Sequence, residues 1–261
     1  MNHSYGKILV CAFVLVFLSA SAGYSHFGMV IPSDNMVMKD DERSIDLELS
    51  FSHPFEGRGM ELVKPERFFV VKDGKKESLL DSLESAEVMG EKAWQANYPV
   101  KRPGAYTFCM VPEPYWEPAE DCYIIHYTKT VAAAYGLDEG WDAEVGLKTE
   151  IVPLTKPYAL YENNLFQGVV KLNGEPVPHA EVEVEYYDRE GRFEAPSDYM
   201  VTQTVKADKN GVFSYAVPGS GWWGFAALST SGETKVHKGE EKEIELGAVI
   251  WVRFEEWREK K

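Results

Sequence analysis

The hydrophobic rhythm of this chain limits its fold more than anything else does. No segment sustains the period of an amphipathic helix. Short alternating runs bounded by Gly, Pro, Asn or Asp recur instead. Ile45-Asp46-Leu47-Glu48-Leu49-Ser50-Phe51 alternates cleanly, and Arg67 to Val71 reads as a second strand. Asp73-Gly74 supplies a hairpin turn before Glu77-Ser78-Leu79. Tyr106 to Val111 and Tyr123 to Thr128 are further strands on either side of a loop holding Pro112, Pro114 and Pro118. Only Thr130 to Tyr135 reads as a helical turn or two. The pattern predicts an all-β protein.

Size divides that prediction into two β-sandwich domains in tandem. Without residues 1–25 the 261-residue chain keeps 236, more than one sandwich usually holds. Its 44% hydrophobic and 13% aromatic content is enough to fill two cores. Pro153 and Pro157 flank an extended stretch that reads as a strand running into a linker, so the boundary is expected near Pro157. The expected domains are therefore residues 26–157 and 158–261. In the second, Asn173-Gly174 and Asn210-Gly211 lie between apolar runs as tight turns. Val182, Val184 and Tyr186 alternate there with Glu181, Glu183 and Glu185, a comb expected to face solvent. Ile244 to Phe254 closes the domain.

The first 25 residues have the layout of a secretory signal peptide. Lys7 precedes the apolar run Ile8 to Phe17, and small residues from Ser19 to Gly23 follow. Cleavage after Ala22 fits the A-x-A rule best, through Ala20 and Ala22; the alternative, after Ser25 through Gly23 and Ser25, makes His26 the new N-terminus. The apolar run is shorter than the roughly 20 residues a membrane span needs, so a periplasmic or secreted protein with no span is expected. Its net charge would be −16 (27 basic residues less Lys7, against 42 acidic). Such a surface repels nucleic acid and attracts cations. Cys109 and Cys122 remain after cleavage, and a pair in an oxidising compartment is expected to form a disulfide, worth about 3 kcal/mol in the chain-entropy model.

The candidate chemistry is metal binding. His53 follows an alternating strand at the position where it turns, so its imidazole would project from a sheet rim. His26 lies just beyond the signal, where a terminal amine and an imidazole can chelate together. His126 follows the acidic, proline-stiffened loop that carries Glu113, Glu117, Glu120 and Asp121. Imidazole ligates Zn, Ni, Co and Cu. The expected site is His26, His53 and His126 with Glu120, converging at the rim of the first sandwich. His179 and His237 read as surface residues. No GxSxG, HExxH, P-loop, GxGxxG or EF-hand pattern occurs, and no enzymatic activity is expected.

Two resemblances extend this reading. The pattern G-x-V, N-G-x-P-V, A-x-V-x-V, D-x-N-G-x-F-x-Y and P-x-x-G-x-W over about residues 165–230 resembles a prealbumin-like, carboxypeptidase regulatory-type module, which implies a presenting or stabilising role. His26, His53-Pro54-Phe55-Glu56, Met60-Glu61-Leu62, Glu117-Pro118-Ala119-Glu120-Asp121 and His126-Tyr127-Thr128-Lys129, with the run Gly136 to Asp142, resemble a bacterial family of periplasmic cobalt or nickel transport components. That resemblance implies extracytoplasmic binding of nickel or cobalt beside a membrane-embedded energy-coupling-factor uptake transporter, and no fixed ligand set; zinc and copper remain open as the metal. The alternatives are a metal-free carbohydrate-binding or adhesion protein presenting Tyr115, Trp116 and Trp222, and a copper protein using an N-terminal His26.

Overall fold

A computed structural model describes residues 25–137 and 139–260. The signal-peptide reading falls outside these residues except for Ser25. In the first half the strands are β1 (Phe27–Pro32), β2 (Met36–Val37), β3 (Ser44–His53), β4 (Arg58–Met60), β5 (Arg67–Lys72), β6 (Lys75–Ser78), β7 (Glu84–Val88), β8 (Glu91–Pro99), β9 (Gly104–Val111), β10 (Tyr115–Glu117) and β11 (Cys122–Ala134). They continue as β12 (Thr149–Pro153), β13 (Leu160–Tyr161), β14 (Leu165–Leu172), β15 (Glu175–Pro176), β16 (Glu181–Tyr186), β17 (Gln203–Lys206), β18 (Val212–Ala216), β19 (Gly221–His237) and β20 (Glu240–Glu255). The protein is all-β, as the alternation predicted, and the Asp73-Gly74 and Asn173-Gly174 turns both take the positive φ that a tight hairpin needs.

These strands form two sandwiches that share one sheet. An eleven-stranded sheet runs in the order β17-β16-β19-β20-β11-β9-β5-β6, with β2 and β10 also paired to β11 and β13 to β20. A five-stranded sheet (β1-β3-β8-β7, with β4 on β3) covers its first half, and a four-stranded sheet (β12-β14-β15, with β18 on β14) covers its second. Leu47, Leu49, Phe51, Phe68, Phe108 and Ile124 fill the first core. Ile151, Phe166, Val184, Phe213, Phe225 and Ile250 fill the second. The seam is the parallel pairing of β11 with β20, from Tyr123↔Ile244 to Thr130↔Trp251. β12 lies before the boundary expected near Pro157, yet it pairs with β14 and buries Ile151 in the second core.

Several expectations are corrected. Residues 130–134 continue β11 rather than forming helical turns, because β9 and β2 both offer backbone partners there (Val131↔Thr107, Ala133↔Met36); pairing overrides a weak local preference. The glutamate comb is solvated only at its start, where Glu181 is exposed and pairs with Lys206; Glu183 is half-buried and Glu185 buried. Val182 and Val184 pack in the second core, and the opposite face of β16 meets the first half, where the Phe55 amide donates to Glu185 Oε1 at 2.9 Å. Glu185 is only 1% exposed. Both cysteines are free thiols. Cys109 packs with Tyr123 and Tyr127, whereas Cys122 packs with Ile124 and the first core. Alternation along β11 places these two groups on opposite faces of the sheet, so the thiols cannot meet.

β11 also carries a buried ion pair. Lys129 Nζ lies 2.6 Å from Glu150 Oε2, and Glu150 accepts the amides of Val145 and Gly146 at 3.1 and 2.9 Å. This pins the segment before β12 against the central strand.

Candidate metal centre

The β1–β3 register positions the first two histidines. Phe27 is opposite Ser52. One step further out, His26 is therefore opposite His53, and their ring centroids are 4.7 Å apart. His26 also stacks on Phe51 at 5.8 Å and meets Tyr115 at 6.4 Å. The β10–β11 hairpin brings the carboxylates. Glu117, paired with Cys122 at the tip, sets its Oε2 2.9 Å from His26 Nε2 and accepts the Ala119 amide on Oε1 at 2.8 Å. Glu117 is buried and held from both ends. His53 Nδ1 donates to the Ser25 carbonyl at 2.9 Å.

Beside this pair lies a cavity of about 110 Å³, lined by Ser25, His26, Glu120, His126, Glu183, Leu228 and Glu245. Glu120 comes from the hairpin tip, Glu183 from β16 and Glu245 from β20, so both halves contribute to the wall. The Ser25 hydroxyl hydrogen-bonds Glu183.

His126 is wedged at the seam. Its Nδ1 accepts the Gly28 amide at 3.2 Å. A Cβ on Gly247, its partner across β11 and β20, would fall 2.6 Å from its Nε2. With the Nδ1 lone pair committed to Gly28, the neutral ring carries its proton on Nε2, which is buried without a partner. His126 thus presents an N–H rather than a lone pair.

Burial dominates the electrostatics. It lowers the pKa of His26, reinforced by His53 and opposed by Glu117, and it lowers that of His53. It brings His126 down to about 3, with His26 adding to the effect. Burial raises Glu120 and Glu183, and raises Glu245 to about 7 with the help of Glu120 and Glu183. All three imidazoles are accordingly neutral, the form that ligates metals.

The four expected site residues therefore gather in one region. Among the described residues, however, no three His, Cys, Asp or Glu side chains already share one metal-holding centre. His26 and His53 are adjacent, Glu120 shares the cavity with His26, and His126 belongs to the wall. Glu117, Glu183 and Glu245 are the additions. β10 and β11 carried the hint of Glu117, a carboxylate directly before the hairpin tip; nothing in β16 or β20 indicated that these strands would cross the seam. Two other readings also change. His237 is half-buried rather than simply solvated: it stacks on Trp116 at 3.7 Å and bonds the Tyr123 hydroxyl at 3.1 Å. The aromatic rings of Tyr115 and Trp116 are thus engaged internally, Tyr115 with Phe51 at 5.0 Å.

A family model described as "Domain of unknown function (DUF4198)" matches residues 23–231. No curated protein matches the chain. Solved structures similar to it include trypsin-activated alpha-2-macroglobulin from Escherichia coli, at 12% identity over 88% of this chain and 16% of that one, with a TM-score of 0.27. The major pilin subunit of Bacillus cereus is 12% identical over 88% and 66%, TM-score 0.20. The Yersinia pseudotuberculosis adhesin InvE is 9% identical over 85% and 58%, TM-score 0.24. The chain thus spans less than two thirds of the macroglobulin and the adhesin, and likeness at these scores carries no argument about activity.

Proposed function

This chain belongs to the DUF4198 family of domains of unknown function, and on that premise we propose that it is a periplasmic binding protein for a divalent first-row transition metal, held at His26 and His53 and passed to a membrane-embedded uptake transporter. The observation that carries the reading is the arrangement at the β1–β3 rim: two imidazoles with centroids 4.7 Å apart, one of them bonded at 2.9 Å to a buried carboxylate. A carboxylate behind a histidine orients the ring and raises its basicity, as second partners of metal ligands do. The acidic surface supports the same reading by concentrating cations.

Nickel or cobalt as the cargo, and the transporter as partner, come from the sequence resemblance; affinity order by itself ranks copper first. No helix among the described residues is long and apolar enough to cross a membrane.

Titration calorimetry of the exported protein with Ni(II), Co(II), Zn(II) and Cu(II) tests the reading. One equivalent is expected to bind, with His26→Ala and His53→Ala abolishing binding and His179→Ala leaving it unchanged. Equal binding by all three variants would overturn the proposal.

A further inference from the structure

Ser25 lies between His53 and the acidic cavity. Its carbonyl oxygen caps His53 Nδ1 at 2.9 Å, its hydroxyl bonds Glu183, and it forms part of the wall of the cavity holding Glu120, Glu183 and Glu245. The backbone nitrogen of His26 belongs to the same peptide group, about 2.2 Å from that oxygen by standard geometry. That nitrogen already sits beside His53. As an amide its lone pair is delocalised into the carbonyl and cannot ligate a metal.

His26 is prepared on its other side. Its Nε2–H donates to Glu117 Oε2, and Glu117 is fixed by the Ala119 amide. This tautomer leaves the lone pair on Nδ1, the ring nitrogen nearest the residue's own backbone nitrogen. A primary amine there would close a six-membered chelate with Nδ1 around one metal ion.

We propose that hydrolysis of the Ser25–His26 peptide bond completes the metal centre, giving three nitrogen ligands: the amine and Nδ1 of His26, and Nδ1 of His53. The inference rests on the metal-binding reading above. A leader peptidase acting during export adds water across the bond. Hydroxide joins the Ser25 carbonyl carbon, the C–N bond breaks, and the nitrogen takes up the proton. Ser25 leaves as the carboxyl end of the leader. Gly23 and Ser25 supply the small residues such a cut requires at −3 and −1. With Ser25 goes the acceptor on His53 Nδ1, the ring proton shifts from Nδ1 to Nε2 and frees the Nδ1 lone pair, and Ser25's part of the cavity opens. Three carboxylates then face the positive charge of the bound ion. Glu117 is a positioning residue in this scheme, and a set of three nitrogens favours Cu(II) and Ni(II) over Co(II).

Intact mass of the exported protein comes first: a chain starting at His26 is expected, and one starting at Gly23 overturns the proposal. Cu(II) is then the spectroscopic probe, added to the protein starting at His26 and to the same protein acetylated on that amine, since the acetyl group restores a carbonyl where Ser25 had one. The free form should show three coordinated nitrogens in its electron paramagnetic resonance spectrum and the acetylated form fewer, with weaker Cu(II) and Ni(II) binding. Glu117→Gln should keep three nitrogens yet weaken binding about 10- to 100-fold. Equal nitrogen counts and affinities in the free and acetylated forms would overturn this inference while leaving the metal-binding reading intact. Failure of both forms to bind would refute that reading itself.

Discussion

Replacing Glu150 by Gln removes the anion from a pair that is almost completely out of water. Lys129 and Glu150 side chains are 1% and 4% exposed and meet at 2.6 Å. Glutamine keeps the shape but leaves an ammonium buried without a counter-charge, and its single oxygen cannot serve both Gly146 and the Val145–Lys129 side. Breaking one half of a buried pair typically costs about 3–5 kcal/mol, a large share of the roughly 5–15 kcal/mol that holds a domain folded. The double variant Lys129→Met with Glu150→Gln buries no charge and keeps an acceptor, so it should recover most of the loss. Equilibrium unfolding in urea, followed by tryptophan fluorescence at pH 7, measures all three proteins. The pH dependence gives a second readout. Burial pushes the Glu150 pKa up, but the Lys129 charge, its hydrogen bond and the two amides outweigh it, and the folded value lies below the ordinary carboxylate range. Its stabilisation is therefore present above that range and lost as pH falls through the folded value, so the gap between the native protein and Glu150→Gln should close in acid. A single variant within about 1 kcal/mol of the native protein, or a double variant no better than the single, would refute the reasoning.

Two further outcomes are expected. Burial raises the Glu185 carboxyl to about 8 even though Thr202 and Phe55 donate to it. A folded pKa above the unfolded one gives stability that is full below the unfolded value and declines as pH rises toward 8, by about 1.4 kcal/mol for each pH unit crossed between the two values. Thermal unfolding from pH 5 to 9 should therefore fall more steeply for the native protein than for Glu185→Gln; parallel curves would contradict this. Gly247→Ala places a methyl 2.6 Å from His126 Nε2 and closer still to Cδ2, in a strand with backbone partners on both sides. Overpacking of this kind costs about 1–3 kcal/mol, read as a lower urea midpoint, and an unchanged midpoint would show that the imidazole slot is looser than the geometry implies.

The all-β class, the hairpin turns at Asp73-Gly74 and Asn173-Gly174, and the acidic charge could be read from the sequence because each is decided within a few residues: alternation sets strand faces, and a positive φ selects Asn-Gly or Asp-Gly. Alternation even separated Tyr123 and Tyr127 from Ile124 correctly. It could not say what lay against each face. Strands twenty residues apart and strands two hundred residues apart give the same local signal, so the parallel seam of β11 with β20 left no trace in the sequence. That seam buried Glu185 and turned His126 into a wall residue between Gly28 and Gly247, while the pairing of β9 with β11 set Cys109 and Cys122 on opposite sides of one sheet. The pairing of His26 with His53 depends on the register of two strands, and the support of Glu117 on a hairpin that folds back over them. Residue types suited to metal binding were visible along the chain. Which of them face one another was fixed by long-range pairing, since a one-residue change of register exchanges every side chain between core and rim.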